Sequence, residues 1–287
     1  MKILITGGNG QLAYDLKIKL EDNNIDFISV SHQELNIVQQ KQVFEAIKKY
    51  NPSFVINTAA YTQVDKAEQE IESAFAVNCE GVKNLAEACE NFHVPLLHLS
   101  TDYIFDGNKS TPYLETDMAT PINTYGKSKL AGENAIIKYC EKKIILRVSG
   151  IYGVHGNNFV KTILRLAKEK EILTIVEDQI TCQTSTSLIA DTIVFLLKNP
   201  SWGVYHFCSD KPLSWYEFAL LLMDKAKKFE KFKLKTIQPI KSKEYAAPAL
   251  RPLNSVLNCK KILSQFNIIQ PNLEAGLTDV INKLYST

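Results

Sequence analysis

A tyrosine and a lysine four residues apart carry the most specific chemistry in this sequence. The segment Tyr125-Gly126-Lys127-Ser128-Lys129 has the pattern Y-x-x-x-K, at the start of a helix that we predict over about residues 124–139. This spacing places Tyr125 and Lys129 on one helical face, where an ammonium can lower the pKa of a phenol from about 10. Such a phenol can protonate a carbonyl oxygen while a cofactor delivers hydride to the carbon. Because Y-x-x-x-K also occurs by chance in ordinary surface Tyr/Lys pairs, a catalytic interpretation depends on the other motifs of the sequence.

Hydroxyl side chains end the predicted strand that precedes this helix. The apolar run Leu96–Leu99 is followed by Ser100, Thr101 and Asp102. Ligands of parallel α/β sheets bind beyond the carboxyl ends of the strands, so either hydroxyl could hold the substrate oxygen. Polar residues at a strand end also serve as caps or turn formers. We prefer Thr101 as the catalytic hydroxyl.

A glycine-rich turn follows the first predicted strand, Ile3–Ile5. The segment Gly7-Gly8-Asn9-Gly10-Gln11-Leu12-Ala13 matches G-x-x-G-x-x-[G/A] and opens a helix. Glycines permit the tight turn and let the backbone approach a pyrophosphate, while the helix N-terminus presents unpaired N–H groups. An ordinary strand-to-helix turn would look similar, but the position in a βαβ unit favours dinucleotide binding by Gly7, Gly10, Gln11 and Leu12.

The end of the second predicted strand bears on the choice of cofactor. Neither an acidic residue for an NAD ribose nor an arginine for a 2′-phosphate is evident at Val30-Ser31-His32. Ser31 could bind a ribose hydroxyl or a 2′-phosphate, or could simply be a loop residue. We expect NADPH, with NADH also usable.

Short apolar runs alternate with helical spacing through the first half of the chain. Further runs are Phe27–Val30, Phe54–Ile56 and Ile144–Val148, and helical spacing recurs between them. This alternation predicts an α/β fold, a doubly wound parallel sheet whose strands are apolar on both faces. We assign residues 1–150 to a dinucleotide-binding domain and residues 151–287 mainly to a smaller α/β substrate-binding domain, with some segments returning to the first. The lysine-rich stretch Lys225–Lys243 predicts a solvated helix end followed by a strand.

Composition narrows the class of partner. A formal net charge of +2 in 287 residues argues against nucleic acid or a polybasic membrane surface, so a small molecule is the expected partner. The six cysteines have no metal-binding spacing, and we expect reduced core cysteines and no metal site. No signal-peptide or membrane-spanning pattern is evident, which predicts a cytoplasmic protein.

Several motifs in order resemble the dTDP-4-dehydrorhamnose reductases, a family of extended short-chain dehydrogenase/reductases. They include TGGNGQL at 6–12, NTAAYTQVDKAE at 57–68, VNCEGVKNLA at 77–86, STDYIFDG at 100–107, PINTYGKSKLAGE at 121–133, GNNFVKTILRLAKE at 156–169 and RPLNS at 251–255. The resemblance implies a Rossmann domain, a nucleotide-sugar substrate and reduction of the C4 ketone of a dTDP-6-deoxy-4-ketohexose by NAD(P)H. The resemblance is also compatible with a homodimer.

The resemblance also implies roles for individual residues. Thr101, Tyr125 and Lys129 match the catalytic group, and Lys129 would in addition hold the nicotinamide ribose. The cofactor-binding loops are matched by Gly7, Gly10 and Asn57–Ala60, which include Ala59. The positions that line the sugar-nucleotide pocket are Thr62, Val64, Asp65 and Tyr103. The guanidinium of Arg251 could grip the nucleotide diphosphate or could form an ordinary ion pair.

Two departures from the family pattern leave the sugar open. Gly150 stands where relatives commonly carry a tryptophan that walls the sugar site, and the loop Asp178–Ser185 lacks the usual proline and glycine. Alternatives are therefore a reductase of a related nucleotide 4-ketosugar, an epimerase or dehydratase that recycles NAD, and a non-catalytic regulatory subunit of methionine adenosyltransferase type.

Overall fold

The computed structural model describes residues 1–286. The strands are β1 (Lys2–Thr6), β2 (Asp26–Val30), β3 (Phe54–Asn57), β4 (Leu96–Thr101), β5 (Lys143–Val148), β6 (Ile151–Tyr152), β7 (Ile172–Val176), β8 (Ile180–Thr181), β9 (Thr184–Ser185), β10 (Gly203–Phe207), β11 (Leu213–Ser214) and β12 (Thr236–Ile240).

The α-helices are α1 (Gln11–Asp22), α2 (Gln40–Tyr50), α3 (Val64–Ala67), α4 (Ile71–Phe75), α5 (Val82–Asn91), α6 (Thr124–Tyr139), α7 (Phe159–Glu169), α8 (Thr186–Lys198), α9 (Trp215–Ala226), α10 (Ser242–Tyr245), α11 (Lys260–Phe266) and α12 (Leu273–Tyr285). A π-helix, Ala76–Gly81, runs into α5, and a 3₁₀ turn, Asp102–Ile104, follows β4.

A six-stranded parallel sheet forms the centre of the molecule, in the order β2-β1-β3-β4-β5-β10. The chain leaves β1 for β2 on one side and returns to β3 on the other. A crevice therefore opens at the carboxyl ends of β1 and β3, the position where such folds bind ligands. The last strand, β10, comes from the second half of the chain.

Helices cover both faces of this sheet. Apolar residues of α1, α8 and α11 pack on one face, and those of α2, α5 and α6 pack on the other. The strands β1, β3, β4 and β5 are accordingly buried almost throughout. The expectation of two buried faces is wrong for β2, because this strand lies at the sheet edge and is only partly covered.

A third apolar cluster lies outside the sheet and is built by α7, β7, α9 and α12. Three two-stranded ladders, β6 with β9, β7 with β12 and β8 with β11, complete this half. The lysine-rich stretch contains the end of α9 and the strand β12, as predicted from the sequence. The division at residue 150 stays a prediction.

The cysteines and the helix lengths bear on two earlier expectations. All six cysteines are free and five of them are buried, but Cys79 is only partly buried, so the core assignment is wrong for that residue. Within the part of the chain that the structure describes, every helix is too short or too polar to span a lipid bilayer.

Candidate active site

The turn between β1 and α1 is shaped for a close backbone neighbour. Gly7 has a φ of 73°, and a Cβ there would lie 2.6 Å from the backbone nitrogen of Ala59 in the loop after β3. Only glycine tolerates both conditions. The turn thus brings the two predicted cofactor-binding loops together across the crevice.

The N-terminus of α1 has no side-chain cap, because its N-cap residue is Gly10. Helices α6, α7 and α8 are capped by the side chains of Asn123, Asn158 and Ser185. Because no side chain caps this helix, the first N–H groups of α1 stay available to bind an anion. Leu12 is buried in the core, so any contact it makes with a phosphate must come from its backbone.

Beside the end of β2, an acidic residue folds back toward the strand. The Glu34 carboxylate accepts hydrogen bonds from the backbone nitrogen and the hydroxyl of Ser31, both at 2.7 Å. These bonds hold the pKa of Glu34 below its usual range. The expectation that no acidic residue lies here is wrong, because the turn after β2 returns Glu34 to the strand end.

Asn57 organises the loop after β3. Its side-chain oxygen accepts from the Thr6 hydroxyl at 2.7 Å and from the backbone nitrogen of Ala59 at 3.1 Å. Its side-chain nitrogen lies 2.9 Å from Nδ1 of His98 on β4. Asn57 thus links the two loops at the switch point to the strand that carries Thr101. Ala60 follows in the same loop, partly buried.

Thr101 and Tyr125 meet at the carboxyl end of β4. Gly126 makes this possible, since a Cβ there would collide with the backbone carbonyl oxygen of Tyr103 in the 3₁₀ turn. The Tyr125 hydroxyl lies close enough to the Thr101 side chain for Thr101 to affect its pKa, and the rings of Tyr103 and Tyr125 meet edge to face with centroids 6.0 Å apart. The predicted acid and the predicted oxygen-binding hydroxyl are therefore neighbours.

Burial raises the pKa of Tyr125 to about 12, while the neighbouring Thr101 side chain acts in the opposite direction. The predicted lowering of this pKa by Lys129 is wrong for this arrangement. The Lys129 amine instead lies 2.6 Å from the carbonyl oxygen of Leu99 and 3.2 Å from Nε2 of His98. Its own pKa falls to about 8 because the side chain is buried.

An ion pair joins α3 to the segment that carries Arg251. Arg251 donates to both carboxylate oxygens of Asp65, at 3.0 and 2.8 Å, and to the carbonyl oxygen of Ala249. The pair holds the pKa of Asp65 below its usual value. Arg251 also lies beside the Tyr103 hydroxyl. Two predicted substrate residues thus bind one another, and a diphosphate would have to share or displace Asp65.

Val64 is the first residue of α3 and is partly buried, and Thr62, two residues before this helix, is exposed. Their roles, like those of the other candidate residues, stay predictions.

Comparison with known proteins places this geometry in a family. The model of the RmlD substrate binding domain family matches residues 1–286. The chain belongs to the RmlD family. A relative named dTDP-4-dehydrorhamnose reductase, from Aggregatibacter actinomycetemcomitans, is 40% identical over 289 residues, which cover 97% of this chain and 98% of that protein.

Two solved structures of RmlD-type proteins superpose closely on this chain. The dTDP-4-dehydrorhamnose reductase of Bacillus anthracis, in complex with NADP, has a TM-score of 0.93 at 35% identity and covers 98% of this chain and 99% of its own. The ortholog from Clostridium acetobutylicum has a TM-score of 0.94 at 35% identity, with 99% of both chains covered. The predicted resemblance and the predicted doubly wound α/β fold are confirmed.

The departure from the RmlD pattern at Gly150 has a backbone cause. Gly150 has a φ of 51°, and a Cβ there would lie 3.1 Å from Cα of Gln183. A tryptophan at this position would need a different backbone path for the loop after β5. The predicted loop Asp178–Ser185 contains the short strands β8 and β9, which pair with β11 and β6.

Three residues of this RmlD site were not identified from the sequence as part of it. Glu34 lies beyond the strand end, His98 lies within the apolar run Leu96–Leu99 and received no role, and Asp102 was noted only as the neighbour of Thr101. His98 does have a signal, because it interrupts the apolar run of β4 two residues before the hydroxyls. Asp102 becomes visible only in three dimensions, where four hydroxyls from separate segments surround it.

Proposed function

We propose that this protein reduces the C4 ketone of a dTDP-6-deoxy-4-ketohexose, most directly dTDP-4-dehydro-L-rhamnose to dTDP-L-rhamnose, with NADPH or NADH. The observation that carries the proposal is the close approach of the Tyr125 hydroxyl to the Thr101 side chain at the carboxyl end of β4, which the packing of Gly126 and Tyr125 against Tyr103 supports. Two adjacent hydroxyls at this edge can hold one carbonyl oxygen, in a chain whose relatives are named for this reduction.

The crevice fits a nicotinamide dinucleotide. The support is the close approach that only glycine permits at Gly7, and the N-terminus of α1 that no side chain caps. When bound, the reduced nicotinamide supplies the hydride. Gln11 and Leu12 would hold the pyrophosphate through backbone N–H groups, Gly10 would let it approach the backbone, and Asn57, Ala59 and Ala60 would line the opposite side.

Tyr125 has the protonation state that a reduction requires. Its pKa of about 12 keeps the phenol protonated at neutral pH, ready to protonate the developing alkoxide. Thr101 would fix the position of the carbonyl oxygen. Tyr103, Arg251, Asp65, Thr62 and Val64 would bind the sugar nucleotide, and Lys129 would contact the nicotinamide ribose.

Turnover of the proposed substrate tests this function. Purified protein is mixed with dTDP-4-dehydro-L-rhamnose and either reduced cofactor, the loss of nicotinamide absorbance is followed, and the product is identified by mass spectrometry. We expect oxidation of the cofactor with formation of dTDP-L-rhamnose. Absence of turnover with both cofactors would reject the proposal, and a panel of other nucleotide 4-ketosugars would show whether Gly150 marks a different sugar.

Replacing the proposed acid tests the mechanism separately. Tyr125→Phe removes only the hydroxyl, so kcat should fall by about 10²- to 10⁴-fold, the usual contribution of a general acid. Affinity for NADPH, measured by its fluorescence, should change little. Tyr205→Phe is the matched control, because the hydroxyl of this buried residue donates to Ser201, which lies just before the N-terminal end of β10 and away from the carboxyl ends of the strands. Equal activity of Tyr125→Phe and the control would exclude Tyr125 as the acid.

We also propose the two-domain division, with a dinucleotide-binding part of residues 1–150 and a mainly substrate-binding remainder. Pairing of β10 with β5 and packing of α8 on α1 support the return of later segments to the first part. A cytoplasmic location and a homodimer stay predictions.

A further inference from the structure

His98 is a buried titratable residue that the proposed reaction does not use. It lies on β4, is fully buried, and contacts Asn57 with one ring nitrogen and the Lys129 amine with the other. The hydrogen-bond partners around it fix where its proton lies.

The orientation of the Asn57 amide is the first constraint. The backbone nitrogen of Ala59 can only donate, and it lies 3.1 Å from the side-chain atom that also accepts from Thr6. That atom must therefore be the amide oxygen. The side-chain nitrogen of Asn57 then faces His98 and must be the donor in the 2.9 Å contact with Nδ1.

The tautomer of His98 follows from this bond. Burial holds the pKa of the ring well below its usual value, so the imidazole is neutral and carries one proton. Because Nδ1 accepts from Asn57, the proton is on Nε2. This N–H points at the Lys129 nitrogen, 3.2 Å away.

An ammonium has only donors and cannot accept the Nε2–H bond. A neutral amine can accept it with its lone pair and still donate to the Leu99 carbonyl, 2.6 Å away. The other titratable groups around Lys129 are on its own helix, one turn away on either side: Tyr125, which is protonated, and Glu133. Glu133 favours a charged lysine, but Arg147 of β5 holds its carboxylate with three hydrogen bonds.

We propose that His98, oriented by Asn57, is a positioning residue that favours the neutral form of the Lys129 amine and holds that form against the Leu99 carbonyl. Protonation of Lys129 then requires the loss of the His98 contact or a change of tautomer that breaks the Asn57 bond. Burial lowers the pKa of Lys129 to about 8, so the amine is mainly charged at pH 7 and mainly neutral above pH 8, where the Nε2–H contact can form. Any effect of His98 on turnover rests on the proposed reductase function. The tautomer of His98 and the titration of Lys129 do not depend on that function.

The tautomer can be read directly in the wild-type protein. Long-range ¹H–¹⁵N spectra of the histidine rings distinguish Nε2–H from Nδ1–H, and the His98 signals are those missing in His98→Gln. We expect the Nε2–H pattern at pH 8.5. An Nδ1–H pattern or a charged ring would overturn the proposal, whether or not His98→Gln is fully folded, because His98 can also be assigned through its neighbours on β4.

The titration of Lys129 is the second readout and needs no turnover. With ¹³C-labelled lysine, the Lys129 signal is assigned by its loss in Lys129→Met. We expect it to titrate near pH 8 in the wild-type protein and about one unit higher in His98→Gln, whose amide oxygen can accept from an ammonium. His93→Gln, at an exposed position, is the matched control and should leave this titration unchanged.

The pH profile of kcat/KM connects the assignment to the reaction. If Lys129 must be charged for turnover, the alkaline limb should move to higher pH by the same unit in His98→Gln and not in His93→Gln. An unchanged Lys129 titration in His98→Gln would refute the role of His98. Lack of turnover by the wild-type protein, with the lysine titration shifted as expected, would instead reject only the reductase function.

Discussion

At the scale of single residues, the cofactor preference should depend on Glu34. The end of β2 is where dinucleotide folds bind the adenosine ribose, and Glu34 places a carboxylate on both Ser31 donors. A carboxylate suits ribose hydroxyls and repels a 2′-phosphate. Glu34→Gln should therefore raise the ratio of kcat/KM for NADPH to that for NADH by about fivefold, as expected for like charges close together in a high-dielectric surface.

Steady-state kinetics with both cofactors at low ionic strength measure this ratio. Glu21→Gln is the control, because that exposed carboxylate lies near the far end of α1, away from the sheet edge that binds ligands. The gain in the Glu34 variant should shrink with added salt. A ratio that stays the same in Glu34→Gln would mean that the ribose lies elsewhere.

The side-chain partners at this scale were the least predictable part of the site. Y-x-x-x-K correctly places Tyr125 and Lys129 on one helix, but spacing within a helix says nothing about β4. The amine of Lys129 bonds to Leu99 and His98, about 30 residues away in sequence. Asp65 and Arg251, 186 positions apart, were each predicted to bind substrate, yet they bind one another. Such pairings depend on how segments far apart in sequence pack.

At the scale of elements, α6 is fixed to the sheet by a buried ion pair. Arg147 on β5 donates to both oxygens of Glu133 and also lies 3.2 Å from Nε2 of His206. Glu133→Gln leaves the buried guanidinium without a counter-charge, which should lower the free energy of unfolding by about 3 kcal/mol in urea denaturation. Because Tyr125 and Lys129 are on the same helix, the reductase activity of this variant should fall together with its stability.

A surface pair provides the control for this element. Glu169→Gln removes the carboxylate that Arg165 contacts on α7, where both side chains are more than half exposed. No measurable change is expected, since exposed pairs contribute little. Equal stability of the two variants would contradict the importance of the buried pair. The helix itself was predictable from sequence, because capping and periodicity are local, whereas the pairing of Glu133 with Arg147 is not.

At the scale of the whole molecule, Asp102 joins segments from both halves of the chain. One carboxylate oxygen accepts from Ser149 after β5, Thr181 of β8 and Ser255, and the other accepts from Thr101. Burial outweighs these bonds and raises the pKa of Asp102. The alternation of strands and helices predicted the sheet, but this junction could not be predicted because three of its four contacts join residues at least 47 positions apart.

The raised pKa has a defined effect on stability. Between the unfolded and the folded pKa of Asp102, the folded protein binds more protons, so stability falls as pH rises through this window. Asp102→Asn is never charged and lacks this penalty. Its stability relative to wild type, from urea unfolding, should therefore be more favourable at pH 7 than at pH 4.

The companion variant Ser255→Ala keeps the carboxylate and removes the donor at 2.6 Å. Loss of a hydrogen bond to a charged group should cost about 2 kcal/mol at pH 7 and less at pH 4, where the carboxyl is more protonated. The two variants should thus diverge from wild type with opposite pH trends. Parallel trends would mean that the charge of Asp102 does not determine how the stability of this junction depends on pH, and that packing alone accounts for its contribution.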